Sequence, residues 1–169
     1  MTYRKATKKE IDRVMQILLE ARTRIGCLGI DQWQYGYPTR DIVLDDLDRG
    51  RLFVAVDEQG EIYAVFSVIT DGEPTYDKIY DGAWLSGVAK YIAVHRFAVA
   101  PDALRRGVAS SVMQFVSGYA KENGFVGVRI DTHEGNVPMR GMLEKNGFVT
   151  CGKIFLEDGQ PRVAYEKLV

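Results

Sequence analysis

The sequence contains few of the residues on which metal centres and disulfide frameworks depend. In 169 residues it has two histidines and two cysteines. The cysteines, Cys27 and Cys151, lie far apart and match no metal-binding spacing, so we expect two buried, reduced thiols. No His–Glu spacing on one face of an element supports a metal site either. The sequence therefore predicts a protein that works without a metal ion.

The chain also lacks long apolar runs and an excess of charge. No apolar stretch approaches the roughly 18 residues of a membrane span, and the N-terminal MTYRKATKKE has no apolar signal-peptide core. The formal net charge is −1, which gives no global attraction to nucleic acid or to an anionic membrane. We therefore expect a soluble cytoplasmic protein with neither nucleic acid nor a membrane as a partner.

What remains is an ordinary globular composition with a mixed pattern of elements. The length of 169 residues predicts a single domain over residues 1–169, and the composition, 46% hydrophobic and 27% charged, argues against long disorder. The periodicities predict the order β-α-α-β-β-β-α-β-α-β-β, an α/β fold. The unit from Tyr91 to Asp131 is predicted to be a right-handed crossover that places two parallel strands in the sheet.

The helical predictions depend on apolar spacing and on end signals. Thr7 and Glu10 form a capping-box pattern before the first helix. Asn136 is placed to cap the last helix, and Gly147 follows its end. The apolar residues expected on one side of the first and third helices are Ile11, Val14, Leu18, Ala21 and Ile25, and then Val108, Val112, Phe115, Val116 and Tyr119.

Two segments have no period and are rich in aromatic residues. One is GCLGIDQWQYGYP, between the first two helices, and the other is the stretch from Asp71 to Lys90, which we predict to be a long surface loop. Both carry aromatic side chains close to acidic ones, an arrangement that can hold a cationic amine. Packing of the loops by the same rings is the alternative. The residues concerned are Trp33, Tyr35, Tyr37, Tyr76, Asp77, Tyr80, Asp81 and Trp84.

The stretch APDALRRGVASS stands between a predicted strand and the third predicted helix. The first N–H groups of a helix have no partner inside it and carry partial positive charge. Gly107 and Ala109 leave those groups accessible, while Arg105 and Arg106 add positive charge. This combination is typical of a site for a phosphate or pyrophosphate. It is neither a Walker A loop nor the three-glycine dinucleotide fingerprint.

HRFAVAPDALRRGVASSVMQFV resembles the acetyl-CoA signature of the GNAT N-acetyltransferases, Gln/Arg-x-x-Gly-x-Gly/Ala. Gly107 and Ala109 match its last two fixed positions, whereas Leu104 replaces its first. NVPMRGMLEKNGF is similar to a second signature of the family. Asn136, Lys145, Gly147 and Phe148 match that signature, and the predicted element order fits the GNAT fold over almost the whole chain.

The resemblance implies acetyl-CoA as cosubstrate, a GNAT fold whose parallel fourth and fifth strands splay around it, and a role for each matching position. The end of the fourth strand would hydrogen-bond the pantetheine arm, and main-chain N–H groups after it would hold the pyrophosphate. Asn136 resembles the asparagine that contacts the cofactor near its pantetheine. The cofactor-binding residues implied are Phe97, Ala98, Val99, Arg105, Arg106, Gly107, Val108, Ala109, Ser110 and Asn136.

The same resemblance implies direct acetyl transfer to an amine, which requires a neutral amine. Many members carry a glutamate near the end of the fourth strand, where this chain has His95. An imidazole accepts a proton at neutral pH, so His95 is the first candidate for the base and His133 the second. A histidine packed inside a strand, and a loop histidine bonded locally, are the alternatives.

The tyrosine with which many members protonate the leaving sulfur falls at Leu143, which has no proton to give. Tyr91, Tyr119 and Tyr165 are possible substitutes, or the thiolate leaves without an acid. The chain is therefore expected to be an acetyl-CoA-dependent N-acetyltransferase acting on a small-molecule or peptide amine. The alternative hypotheses are a non-catalytic acyl-CoA binder of the same fold and a general nucleotide-binding domain. Exposed edge strands invite pairing, which makes a homodimer possible.

Overall fold

The predicted order of elements is confirmed along the whole chain. The computed structural model describes residues 1–169. Its helices are α1 (Ile11–Gly26), α2 (Arg40–Asp48), α3 (Val108–Glu122) and α4 (Val137–Lys145). Its strands are β1 (Thr2–Lys5), β2 (Leu52–Val56), β3 (Ile62–Ile69), β4 (Tyr91–Val99), β5 (Gly127–Thr132), β6 (Val149–Phe155) and β7 (Pro161–Leu168).

The strands form a mixed sheet in the order β1-β2-β3-β4-β5-β7-β6. Strands β4 and β5 run parallel, as predicted, with Tyr91 opposite Gly127 and Ala93 opposite Arg129. The pairs β1–β2, β2–β3, β5–β7 and β6–β7 are antiparallel. This mixed α/β sheet confirms the predicted fold class.

The chain divides into two units, one comprising Met1–Val68 with His95–Val112 and the other Ile69–Val94 with Met113–Val169. Strand β4 and helix α3 each contribute residues to both. The prediction of one domain over residues 1–169 stays a prediction.

In the first unit the buried face of α1 follows the predicted helical spacing. Four of its five expected residues are buried, Ile17 joins them, and Ile25 is half-buried. All five residues of β2 are buried, and Phe53 of β2 stacks on Phe66 of β3 with ring centroids 5.7 Å apart. The first unit therefore has an apolar interior of helix and strand side chains.

The predicted capping box is present in the 3-10 turn Lys8–Glu10, which leads directly into α1. Glu10 accepts a 2.7 Å hydrogen bond from the main-chain N–H of Thr7 and a 2.6 Å bond from Nη2 of Arg4. The Arg4 guanidinium, together with the bonds from Thr7, lowers the pKa of Glu10 to about 2. Glu10 is therefore ionised throughout the neutral range and closes the first turn, just ahead of α1.

In the second unit the stretch from Asp71 to Lys90 is mostly an exposed loop, as predicted, but parts of it are anchored to the rest of the unit. It contains a short 3-10 helix, Pro74–Tyr76, and Tyr80 pairs with Lys153 of β6. Tyr76 is buried in an apolar cluster with Ile69, Ala93 and Ile154, against which Trp84 also packs. Tyr76 and Trp84 anchor the segment because aromatic side chains bury large apolar surfaces, while thirteen of its twenty residues are exposed.

A buried ion pair fixes the later part of this segment. Nε of Arg129 lies 2.9 Å from Oε1 of Glu166, and both side chains are almost inaccessible to solvent. Ser86 donates to the same carboxylate through its main-chain N–H and its hydroxyl. The Arg129 guanidinium also stacks on the rings of Trp84 and Tyr91. A side chain at Gly127 would clash with Glu166, since a Cβ there would lie 2.8 Å from Oε1.

One expectation about the cysteines is wrong. Cys151 is buried, but Cys27 is exposed just after the end of α1, and neither forms a disulfide. Cys27 follows the last turn of the helix, where the apolar face has already ended, so nothing in the pattern requires its burial. No helix of the chain combines the length and the apolar content that spanning a membrane takes.

Candidate functional site

The end of β4 is held on both sides by polar contacts within the first unit. Ala98 and Val99 are buried and Phe97 is half-buried. The carbonyl of Val99 accepts a 2.6 Å hydrogen bond from Nη2 of Arg24 in α1, and the N–H of Ala100 donates to the carbonyl of Tyr63 in β3. The main chain at the end of β4 is therefore fixed in place.

The turn between β4 and α3 has an unusual backbone. Arg105 has φ 61° and Gly107 has φ 78°. The left-handed conformation is natural for glycine but unfavourable for arginine. Left-handed residues in such a turn direct successive main-chain N–H groups into a common concavity that attracts anions.

Helix α3 begins immediately after this turn. Its first helical hydrogen bond runs from the N–H of Ser111 to the carbonyl of Gly107, so the N–H groups of Val108 and Ala109 have no acceptor inside the helix. A Cβ built on Gly107 meets nothing within 4 Å. The hydroxyl of Tyr3, in β1, is hydrogen-bonded to that of Ser111 and braces this first turn. The result is an open cradle of main-chain donors at the positive end of a helix.

The two arginines of the turn are directed differently. The Arg106 guanidinium lies 5.0 Å from the centroid of the Tyr63 ring and donates a long 3.4 Å bond to the carbonyl of Asp102. Arg105 is exposed to solvent. Neither arginine forms an ion pair that would neutralise its charge.

The two candidate histidines lie in different settings. His95, in β4 within the first unit, is partly buried and its Nε2 is shielded from solvent. His133, in the turn after β5 within the second unit, accepts a 2.9 Å hydrogen bond at Nδ1 from the N–H of Gly135. A neutral imidazole has one accepting nitrogen, so this bond occupies the lone pair that His133 would use as a base.

Asn136 caps α4 as predicted. Its Oδ1 accepts a 3.2 Å hydrogen bond from the N–H of Met139, and its own N–H donates to the carbonyl of His133. The side chain is mostly buried. Its structural role is therefore confirmed, while its expected contact with the cofactor stays a prediction.

The position of the family's acidic tyrosine is part of the core, because Leu143 is completely buried. Two of the suggested substitutes already have hydrogen-bond partners. The hydroxyl of Tyr165 accepts from Nε of Arg140 and is 3.2 Å from Oε1 of Glu144. The hydroxyl of Tyr91 accepts from the N–H of Glu73.

The aromatic segment between α1 and α2 borders a groove of about 600 Å³ in the first unit. Within this segment, Nε2 of Gln34 donates hydrogen bonds to the carbonyls of Arg22 and Gln32. The Tyr35 side chain projects into solvent, 86% exposed, and does not line the groove. The lining residues are Arg22, Thr23, Gly26, Cys27, Gln34 and Gly36.

The aromatic residues of the segment 71–90 mainly pack against each other and the core. Tyr76 and Trp84 have ring centroids 5.2 Å apart, and Nε1 of Trp84 donates to the carbonyl of Tyr76. The Tyr76 hydroxyl donates a 2.6 Å hydrogen bond to Asp131, and its burial raises the pKa of this phenol well above the usual value. Tyr76 and Trp84 therefore pack the loop against the core, which was the alternative to a role in binding an amine.

A group of four polar residues in the first unit was missed by the sequence reasoning. Arg96, in β4, has φ 51° and forms a buried ion pair with Asp46 of α2. It also donates to Ser67 and to Tyr37. The one available signal was an arginine inside the apolar run YIAVHRFAVA.

The predicted residues fall into two groups. His95, Phe97–Val99 and Arg105–Ser110 all lie in the first unit, at the end of β4 and the start of α3. His133 and Asn136 lie in the second unit, in the connection from β5 to α4. The positions of the first signature thus form one local site around the strand-to-helix turn of the first unit.

Comparisons with known proteins find similar sequences and similar structures. Residues 11–148 match the family model described as the acetyltransferase (GNAT) family. A GNAT-family acetyltransferase from Streptococcus agalactiae superposes with a TM-score of 0.90 at 37% identity, covering 99% of this chain and 95% of that one. A search among curated proteins found no match.

More distant solved structures share the fold. A GNAT-family acetyltransferase from Listeria monocytogenes has a TM-score of 0.77 at 16% identity, covering 99% of this chain and 94% of that one. A phosphinothricin acetyltransferase from Sinorhizobium meliloti, solved in complex with AcCoA, has a TM-score of 0.70 at 14% identity, covering 99% of this chain and 88% of that one.

Proposed function

The chain belongs to the acetyltransferase (GNAT) family, and from that premise we propose that it moves the acetyl group of acetyl-CoA to an amine by direct attack. The amine belongs to a small molecule or to a peptide. The alternative hypothesis of a general nucleotide-binding domain is rejected, because it explains neither the family match nor the second signature.

The observation that carries the proposal is the cradle between β4 and α3. Two left-handed residues, Arg105 and Gly107, precede helix N–H groups that have no acceptor inside the helix. The space in front of Gly107 is open. This geometry fits a diphosphate, since main-chain donors and the helix dipole both favour a concentrated negative charge.

Different segments of the chain are expected to hold different parts of acetyl-CoA. The main-chain N–H groups of Arg105–Ser110 hold the pyrophosphate, the residues Phe97–Val99 hold the pantetheine arm, and Asn136 contacts the arm from the turn before α4. In this arrangement β4 and β5 splay beside the arm. Acetyl-CoA, when bound, supplies the acetyl group as an activated thioester. Because Arg24 and Tyr63 fix the main chain at 99 and 100, the strand needs little reorganisation to bind it.

A base is needed because an alkylamine with a pKa of about 10.4 is a free base in only about one molecule per thousand at neutral pH. We assign this role to His95, which lies two residues before the expected thioester contacts Phe97–Val99 on β4. His133 is the second candidate, and the bond at its Nδ1 argues against it.

No residue is assigned as the acid. The usual position holds the buried Leu143, and a thiol with an ordinary pKa of about 8.5 leaves as a thiolate without help. In the proposed mechanism the protonated amine gives its first proton to His95 before attack, and the tetrahedral intermediate gives a second proton to solvent. The departing thiolate then takes one proton from solvent.

The assay that tests the function is release of free thiol from acetyl-CoA in the presence of amines. The panel contains a polyamine, free amino acids, an aminoglycoside and a peptide with a free N-terminus. We expect thiol release that depends on one class of amine. Tight CoA binding with no release on any amine would instead favour the acyl-CoA binder. ATP binding as tight as that of CoA would contradict the proposed site.

The histidines are tested by the variants His95→Ala and His133→Ala. Removing a general base costs about 100-fold or more in rate, so His95→Ala is expected to lose about 100-fold in kcat/KM, with a rate that rises with pH as the amine itself loses its proton. His133→Ala is expected to keep most of the wild-type rate. If both variants keep wild-type rates and profiles, neither histidine is the base.

The homodimer and the cytoplasmic location stay predictions. Strands β1 and β6 are the two edges of the sheet, and β6 is partly covered by Tyr80. Edge β1 is therefore the better candidate for pairing between two copies.

A further inference from the structure

Arg96 occupies an improbable position in β4. It lies in a run of apolar strand residues, and its φ of 51° is left-handed, a conformation that an L-residue with a side chain adopts only at an energetic cost. Such a conformation persists where the surroundings impose it, and it often marks a functional region. The next residues along the chain are Phe97–Val99, the expected contacts of the pantetheine arm.

The surroundings that impose it are identifiable. Nε and Nη2 of Arg96 donate to the two oxygens of Asp46 at 2.5 and 2.9 Å. The hydroxyl of Ser67, in β3, donates to the same carboxylate at 2.5 Å. The Asp46 side chain is 3% exposed and that of Arg96 11%. A buried bidentate pair of this kind has little freedom to change its geometry.

The guanidinium has one more nitrogen, and it faces the segment between α1 and α2. Nη1 of Arg96 donates a 2.9 Å hydrogen bond to the hydroxyl of Tyr37. The Tyr37 ring in turn contacts Trp33, with centroids 6.0 Å apart. One side chain thus fixes the strand next to Phe97 and also holds the aromatic segment that borders the groove.

We propose that Arg96 is a positioning residue that joins the segment 27–39 to the end of β4, so that the amine acceptor and the thioester are presented in register. In this arrangement Asp46 and Ser67 set the guanidinium, and Tyr37 is the point at which it holds the segment. This inference rests on the proposed function, because it takes residues 97–99 as the thioester contact. It adds that the segment 27–39 binds the amine and is ordered by Arg96.

The proposal separates two effects that a general loss of stability would not separate. Removing only the Tyr37 hydroxyl releases the segment 27–39 while the pair of Arg96 with Asp46 remains intact. The affinity for the amine should fall, and the affinity for CoA should not. Replacing the guanidinium by a group that cannot form the bidentate pair with Asp46 also releases β4. The affinity for the amine, the affinity for CoA and the reaction rate should then all fall.

The test compares Tyr37→Phe with Tyr35→Phe, which removes an exposed hydroxyl from the same segment. For the best amine of the panel, Tyr37→Phe is expected to raise the KM for the amine about tenfold, the equivalent of one hydrogen bond to a charged group. The Kd for CoA, measured by calorimetry, should stay within twofold of wild type. Tyr35→Phe should match wild type in both quantities.

Arg96→Lys keeps the positive charge but cannot form the bidentate pair with Asp46, so the wild-type geometry should be lost. We expect a lower kcat and a weaker Kd for CoA, in addition to the higher KM for the amine. An unchanged KM for the amine in Tyr37→Phe would overturn the proposal. Equal changes in the amine KM and the CoA Kd in that variant would also overturn it.

Failure of the proposed function has a different signature, which is a wild-type protein that releases no thiol with any amine. Hydrogen exchange over residues 27–39 then decides whether Arg96 orders the segment. Faster exchange in Tyr37→Phe than in Tyr35→Phe supports the ordering, and equal exchange in the two variants overturns it.

Discussion

Replacing Gly107 with valine is expected to weaken CoA binding by about 10-fold to 100-fold, the effect of losing one charge-assisted hydrogen bond or its equivalent. Gly107 has φ 78°, a conformation that costs an L-residue about 1–2 kcal/mol and that valine adopts especially poorly. A side chain at this position also projects into the open space of the cradle. Calorimetric titration of the variant with CoA measures the effect.

Gly124 provides a matched control. It has φ 76°, and a Cβ built on it also meets nothing within 4 Å. It follows the end of α3, whereas Gly107 precedes its start. Gly124→Val should therefore lose as much stability as Gly107→Val in thermal unfolding but retain the wild-type Kd for CoA. Equal losses of CoA affinity in both variants would show that backbone strain, and not the cradle, explains the effect.

The substitution with the largest expected effect on stability is Glu166→Gln, which should lower the free energy of unfolding by about 3–5 kcal/mol. It leaves the guanidinium of Arg129 buried without its counter-charge. That guanidinium is 3% exposed and has no route to solvent without opening the segment 71–90. Urea denaturation at neutral pH measures the loss.

Two further variants separate the cost of the unpaired charge from the worth of the pair. In the double variant Arg129→Met/Glu166→Leu no charge is left uncompensated, so it should be more stable than Glu166→Gln. The exposed pair Arg49–Asp45 is the control, because both of its side chains are more than half exposed. Asp45→Asn should cost less than about 1 kcal/mol. A similar small loss in Glu166→Gln would contradict the account of the ion pair.

The sequence was sufficient for the fold because its signals are local or periodic. The helical spacing from Ile11 to Ala21, the cap at Asn136 and the glycine after α4 each depend on neighbours a few residues away. The parallel pair of β4 and β5 followed from the strand–helix–strand order and from the resemblance to a known family. These elements carry the cradle, so its place in the chain was predictable as well.

The rest depends on contacts between residues far apart in sequence. Nothing near Tyr76 indicates that its hydroxyl reaches Asp131, and nothing near Arg96 indicates that Asp46, Ser67 and Tyr37 surround it. The conformation of Arg105 was also beyond the sequence, because an arginine gives no sign of a left-handed backbone. For these reasons the anchoring of the surface segment 71–90 through Tyr76 and Trp84 was not predicted, and the Arg96 group was missed.

The central claim is that main-chain N–H groups at the start of α3 bind the diphosphate of CoA. The most direct measurement is a titration of ¹⁵N-labelled protein with CoA, followed by amide NMR. The account predicts the largest shifts at the N–H groups of residues 105–110, and their loss in Gly107→Val. Saturable binding that leaves these amides in place while shifting others would contradict it.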